Sequence, residues 1–280
     1  MGTLQKSITS TLYHLYNSLT SPKLWTAGIL LFAAVYRLVV PFAKIAKDYK
    51  ADVNIGFISC FFFNSFTVTL IYMALLFIFS ELPFNSPQQI YLMSRCGKRS
   101  WCISQLLYII LISVIVMLAI SLLTIIILAG HLSFDNSWGK FILKGANGGL
   151  YKYGVVGIIR YEAHTAFSPY AALAWSLPVG TLTMIAFGSV VFSLNSLFRS
   201  SVGTVAGAVI IALTLIGRFL GVAGSRYLMI IDWSDFSAVN IYRAPKTPTP
   251  VFEICVLAIM FIISVILIIF CSRKRSDIKT

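Results

Sequence analysis

Long apolar segments recur along this chain, and they constrain its fold more than any other feature of the sequence. A helix rises about 1.5 Å per residue, so roughly twenty apolar residues cross the hydrocarbon core of a bilayer. Only helices and closed barrels satisfy every backbone polar group there. We predict six helical spans, at about residues 24–40, 56–80, 101–129, 169–197, 202–220 and 252–271.

The composition also favours a membrane protein. Apolar residues make up 58% of the 280 positions, charged residues make up 11%, and the mean hydropathy is +0.88. A soluble domain carries about 25% charged residues. Since a water-soluble core cannot bury so much apolar surface, we expect an all-α integral membrane protein, with a single six-span transmembrane domain over residues 22–280.

The first 21 residues have a different pattern. Over residues 4–19 apolar side chains recur at helical spacing, and polar ones lie between them. This pattern predicts an amphipathic helix in the membrane interface over residues 1–21. Ser21 followed by Pro22 is typical of a helix start, so a new helix is expected there.

The net charge of +13 would suggest nucleic-acid binding in a soluble protein. Here the cations lie in loops beside the apolar segments, which favours membrane topology and contact with lipid headgroups rather than nucleic acid. Six spans put both termini on one side of the membrane. The run from Arg273 to Arg275, directly after the last span, favours a cytosolic position for both termini in the cell membrane.

The segment between the second and third spans has the features of a short, well-delimited helix. Ser86 and Pro87 provide a helix start, and Gly97 provides a stop. Arg95 and Arg99 lie near its C-terminal end, where cations complement the helix dipole. We therefore predict a cytosolic helix of about ten residues. Its exposed apolar residues favour a docking element for another protein, although a simple connecting loop is the alternative.

Two glycine pairs stand at the spacing that lets helix backbones approach closely in membranes, namely Gly203 with Gly207 and Gly217 with Gly221. They predict either internal helix packing or a dimer interface. Two arginines, Arg37 and Arg218, lie about one turn inside the outer ends of the first and fifth spans. Each either reaches the headgroups or packs internally, or else lines a translocation path.

Two features of the chain concern chemistry and the outer loops. The phosphate-binding loop of ATPases is absent, and the three histidines share no metal-ligand spacing, so we expect no enzyme activity, metal site or cofactor in this chain. The outer segment 221–250 contains the apolar stretch Leu228 to Ile231, which is too short to span. It is expected to form a re-entrant or interfacial helix, or a folded loop.

The order of these parts resembles an ABC transporter type-2 permease, the six-span subunit of ATP-driven exporters. Glu81 resembles the acidic residue that closes the second span in that family. The residues from Gln88 to Gly97 resemble its coupling helix, and those from Leu194 to Gly203 resemble its short inner turn between spans four and five.

This resemblance implies an exporter of a peptide, drug or lipid-like substrate. It implies that the chain pairs with a second permease copy or paralogue, and that ABC ATPase subunits carrying ATP and Mg bind beneath. Segment 221–250 would supply the re-entrant outer hairpin. The residues that would couple to the ATPase are Glu81, Gln88, Tyr91, Leu92, Arg95 and Arg99.

A non-transporting function is the alternative hypothesis. An immunity or sensor protein that binds an antimicrobial peptide through its outer loops would need the same spans. Its inner helix would not need an ATPase, so deleting residues 87–96 would leave such a function intact.

Overall fold

The computed structural model describes residues 3–83, 93–139, 142, 167–220, 225–236 and 248–274. Within these ranges the chain is almost entirely helical, and residues 93–96 form a short helical piece. The elements in order are α1 (Thr3–Leu19), α2 (Pro22–Tyr49), β1 (Val53–Asn54), a first 3₁₀ helix (Ile55–Phe62), α3 (Ser65–Phe79), α4 (Lys98–Ile127), β2 (Leu132–Ser133), α5 (Pro169–Phe198), α6 (Val202–Leu220), a second 3₁₀ helix (Ser225–Tyr227), a third 3₁₀ helix (Ile230–Ser234) and α7 (Pro250–Lys274).

Several of these helices have the length and composition of membrane spans, so the predicted nearly all-α fold with several span-length apolar helices is confirmed, and a multi-pass membrane protein is compatible with it. In the described part of the chain, five helices are long and apolar enough to cross a bilayer. The count reaches six if the first 3₁₀ helix and α3 form one bent span. The bounds of α5 and α6 agree with the predicted spans to within a residue.

The bundle has two ends, which we name by the elements that meet there. At the basal end α3 and α5 stop and α4 and α6 begin. At the distal end α2 stops, the first 3₁₀ helix precedes α3, and the third 3₁₀ helix contacts α6. A parallel pairing of β1 with β2 joins the distal ends of α2 and α4, with the Val53 N–H donating to His131 O at 2.7 Å.

The helix α1 presents its apolar face outward. Leu4 and Tyr16 are 72% and 71% exposed, whereas the polar residues Ser7, Ser10, Thr11, His14 and Ser18 are buried. Those polar residues hydrogen-bond to α4: Ser7 Oγ donates to Ser100 O at 3.2 Å, and the Ser18 and Tyr108 hydroxyls lie 2.8 Å apart. The helix α1 is therefore packed on α4 by its polar face. The amphipathic helix in the membrane interface over residues 1–21 stays a prediction.

The first span does not stop where the sequence suggested. We expected it to end near Pro41, but α2 continues through this proline to Tyr49. The reason is that Phe42 and Ile45 prolong the buried face by more than a turn beyond Pro41. The helix ends at Lys50, a left-handed residue whose N–H donates to the carbonyls of Ala46 and Lys47.

The predicted continuous span at 56–80 is broken. The first 3₁₀ helix and α3 meet at 77°. Asn54 caps the first piece by accepting from Gly56 N at 2.7 Å, and Asn64 caps the second by accepting from Thr67 N at 3.1 Å. Asn64 followed by Ser65 is a helix-start signal. Here that signal starts a new helix, although the aromatic residues directly before Asn64 are apolar.

Candidate functional site

The predicted coupling residues that the structure describes lie at the basal end. Glu81 follows α3, and its Oε1 accepts a hydrogen bond of 2.6 Å from Ser21 Oγ. Ser21 is also the N-cap of α2, where its Oγ accepts from Lys23 N at 3.3 Å. A single hydroxyl thus joins the start of α2 to the residue that closes α3.

The next residue, Leu82, is bonded to the opposite side of the bundle. Asn195 Nδ2 donates to Leu82 O at 2.8 Å, and Asn195 Oδ1 accepts from Thr204 N at 3.2 Å. Asn195 lies in the last turn of α5, and Thr204 lies in the first turn of α6. The two residues after α3 are therefore held by α2 on one side and by α5 and α6 on the other.

The coupling segment itself is described only in part. Gln88, Tyr91 and Leu92 lie outside the described residues. The helical piece at 93–96 ends at Gly97, whose N–H donates to Met93 O at 3.1 Å and whose φ of 84° lies in the region that favours glycine. The predicted stop at Gly97 is thus present. Arg95 and Arg99 are both exposed on either side of it.

A cavity of about 620 Å³ opens beside this segment. Its charged lining residues are Glu81, Lys98 and Arg199, which come from the ends of α3, α4 and α5. Sequence reasoning did not bring these three residues together. Lys98 and Arg199 are 101 positions apart in the chain, and only the meeting of three helix ends makes them neighbours.

The glycine pairs lie at close contacts inside the molecule. A Cβ on Gly203 would fall 2.1 Å from Val191 O, and one on Gly207 would fall 2.6 Å from Leu76 Cδ1. A Cβ on Gly217 would fall 1.7 Å from Met229 Cε. Among the described residues these contacts serve the packing of α6 against its neighbours, while Gly221 lies outside the described residues.

Arg218 lies at the distal end and is bonded on three sides. Its Nε donates to Asp232 Oδ1 at 2.6 Å, and its Nη1 and Nη2 donate to Phe63 O and Phe62 O, each at 2.8 Å. These two carbonyls belong to the break before α3, where a helix end leaves acceptors without intrahelical partners. Arg218 thus fixes both the break and the third 3₁₀ helix to α6.

Arg37 is in a different environment. It is exposed, and its guanidinium carbon lies 4.3 Å from the centre of the Phe66 ring in the first turn of α3. The two arginines therefore approach the broken span at adjacent points, Arg37 at Phe66 and Arg218 at Phe62 and Phe63. Each contact is one of helix packing.

Burial dominates the electrostatics of two groups outside the spans. Burial raises the pKa of Asp232 to about 6, and the Arg218 guanidinium opposes that rise. Burial lowers the pKa of His14 from 6.5 to about 4. Gln105 Nε2 lies 3.2 Å from His14 Nε2, and because an amide nitrogen only donates, this ring nitrogen accepts in the neutral imidazole.

Glu253 is a buried acid in the first turn of α7, with 0% of its surface exposed. Neither carboxylate oxygen has a hydrogen-bond partner within the described ranges. The helix dipole favours a negative charge at this position by about 0.3–1 kcal/mol. Leaving a buried charged group without partners costs more than that, so the dipole alone does not offset its burial.

In the part of the chain that the structure covers, no group of three or more His, Cys, Asp or Glu side chains could hold a metal ion. Among the described residues, the charged lining of the basal cavity consists of two cations and one carboxylate, and hydrogen bonds cross between the helices beside it. Comparison of the chain with protein-family models, with curated proteins and with solved structures finds no match.

Proposed function

We propose that this chain is the transmembrane permease subunit of an ATP-driven exporter of the ABC type-2 class. A separate subunit hydrolyses ATP, and the cargo is a peptide, a drug or a lipid-like molecule. The observation that carries the proposal is the double anchoring of Glu81 and Leu82. These residues directly precede the segment predicted to contact the ATPase, and their bonds reach α2, α5 and α6.

The anchoring supplies a mechanical route from the ATPase to the spans. A displacement of the coupling segment moves Glu81 and Leu82 together. The bond to Ser21 transmits this displacement to the start of α2, and the bonds of Asn195 transmit it to the junction of α5 and α6. Packed helices respond to such a displacement by moving as rigid bodies between discrete arrangements.

The helix α6 connects the two ends of the bundle. Thr204, in its first turn, bonds to Asn195, and Arg218, in its last turn, holds Asp232 and the carbonyls at the break. Its 19 residues span about 28 Å. A basal displacement of α6 therefore moves the distal 3₁₀ helices with it, which is the movement that alternating access requires.

Co-purification from cells that contain the native operon partners tests the proposal directly. The tagged chain in mild detergent is expected to retain a soluble ATPase. Alanine at Tyr91, Leu92 and Arg95 together is expected to release it, while Arg37→Ala, at the opposite end, keeps it. A preparation that binds no ATPase favours the immunity or sensor hypothesis. ATP hydrolysis by the purified chain alone would overturn the proposal.

A second measurement separates binding from coupling. Glu81→Ala is expected to keep the ATPase bound but to reduce the response of its hydrolysis rate to cargo, because the link to α2 is lost. Ser21→Thr keeps a hydroxyl for both the cap and Glu81, so we expect near-normal coupling. Thr20→Ala is the matched control, since its hydroxyl donates only to Asn17 O within the same turn.

A further inference from the structure

The basal cavity combines several features that suit one class of ligand. Lys98 and Arg199 line it as two cations, and Glu81 lines it as one carboxylate. The Glu81 carboxylate already accepts the hydrogen bond from Ser21. Among the described residues, the charged lining therefore has an excess of one positive charge, which matches a singly charged anion such as a phosphodiester.

Backbone donors add to this positive potential. Lys98 is the first residue of α4, a helix of 30 residues, and its N-cap is Gly97, which has no side chain to cap the helix. The first N–H groups of such a helix lack intrahelical acceptors and attract phosphate groups. The end of α4 at which those groups point outward is the end that borders the cavity.

Unsatisfied side-chain donors lie in the same wall. Trp101 lines the cavity one turn into α4 and is only 6% exposed, and its indole Nε1 has no hydrogen-bond partner among the described residues. The Oγ of Ser196, also in the lining, is likewise without a partner within the described ranges. Buried polar groups are normally paired, so these two donors indicate a missing acceptor.

The remaining lining is apolar and continues to the outer surface of the helices. Phe192 and Ile268 are buried in the wall, whereas Leu197 and Phe270 are 41% and 59% exposed. Leu197 and Phe270 belong to α5 and α7, which have the length and apolarity of spans. An exposed apolar side chain on such a helix is suited to contact with lipid acyl chains. The cavity thus has a polar interior and an exposed apolar rim.

From these features we propose that the basal cavity is a binding site for an anionic phospholipid. The phosphodiester lies between Lys98 and Arg199, near the start of α4, and an acyl chain leaves past Leu197 and Phe270. Free phosphate shares the same anionic chemistry, but it lacks the chain that the apolar rim accommodates. The site does not depend on the chain being a permease.

Native mass spectrometry of the full chain in detergent tests the site, with phosphatidylglycerol and phosphatidylcholine of identical acyl chains as probes. We expect phosphatidylglycerol to be retained about tenfold more strongly. The double variant Lys98→Gln with Arg199→Gln is expected to abolish this preference. Arg99→Gln is the matched control, because it removes an adjacent cation that does not line the cavity.

Two further arms identify the source of the phosphate. Millimolar glycerol phosphate is expected not to displace the lipid, and Leu197→Asp is expected to weaken lipid retention while the protein keeps its melting temperature. Displacement by glycerol phosphate would assign the cavity to a soluble anion instead. Equal retention of the two lipids, or a preference that survives the double variant, would overturn the proposal.

Discussion

Arg218 and Asp232 form an ion pair of 2.6 Å between α6 and the third 3₁₀ helix, in a setting where both side chains are about nine-tenths buried. The same guanidinium donates to the carbonyls of Phe62 and Phe63 at the break in the second span. One side chain therefore joins three segments that are remote in sequence. The hydrogen bonds of Arg218 are packing contacts, and its role in a translocation path stays a prediction.

Replacing Arg218 by methionine is expected to cost about 3–5 kcal/mol, because it leaves Asp232 buried without its partner. The double variant Arg218→Met with Asp232→Asn is expected to recover part of that loss. Thermal unfolding in detergent measures both. Arg37→Met is the control, and since its exposed contact with Phe66 is worth about 0.5–1 kcal/mol, the change there is small. Equal losses at Arg37 and Arg218 would contradict the structural role.

Glu253→Gln is expected to leave the melting temperature nearly unchanged at neutral pH. A buried carboxyl without hydrogen-bond partners in the described ranges is held in its neutral form, and glutamine keeps both its size and its zero charge. A large fall in the melting temperature would show that Glu253 is ionised and stabilised by an interaction other than the α7 dipole.

Replacing glycines by alanine distinguishes two effects on stability, namely steric conflict at close helix contacts and the gain in helix propensity. Alanine at Gly203 places a Cβ 2.1 Å from a backbone oxygen of α5, so the two helices must move apart, and we expect a loss of about 1–3 kcal/mol. Alanine at Gly28 meets nothing within 4 Å, and higher helix propensity predicts a neutral or slightly stabilising change. Gly217→Ala meets the flexible end of Met229 and is expected to cost less than Gly203→Ala.

The stability of the contact between α1 and α4 is expected to depend on pH through His14. Its folded-state pKa of about 4 lies below its ordinary 6.5, so the unfolded chain binds the proton more readily between those values. Stability is therefore highest above pH 6.5 and falls as the pH drops toward 4, by about 3 kcal/mol in total. Melting temperatures from pH 7.5 to 4.5 measure this.

His14→Gln provides the comparison for that pH series. Glutamine keeps a polar side chain near Ser104 and Gln105 but does not titrate in this range. The variant is expected to melt at a lower temperature at pH 7.5 and to lose less on acidification than the parent chain. Parallel pH profiles would show that His14 does not titrate between the two states.

The sequence predicted the spans well where hydropathy and capping signals agree. Ser168 and Pro169 begin α5, and Arg199 in the left-handed conformation ends it, so both boundaries coincide with local signals. The second span is bent because the two signals disagree. Its mostly apolar residues continue through Phe63, whereas Asn64 caps a new helix.

The candidate site was less accessible to sequence reasoning. Glu81 was found through a family resemblance, but its partner Ser21 was recognised only as a helix cap. The acceptors of Arg218 at the break are backbone carbonyls about 155 positions away. Every residue has such a carbonyl, so the sequence does not show which of them accepts a hydrogen bond. The basal cavity could not be predicted from the sequence either, because its cations come from helix ends that only tertiary packing brings together.

The break in the second span has a consequence for the surrounding bilayer. The 15 residues of α3 rise about 22 Å, whereas the hydrocarbon core is about 30 Å thick. If α3 alone crosses the bilayer here, the apolar wall of the bundle is shorter than along α4 or α5, and we expect the adjoining bilayer to thin. Hydrophobic mismatch of this kind couples a protein to membrane thickness, so lipids with shorter acyl chains should favour this conformation.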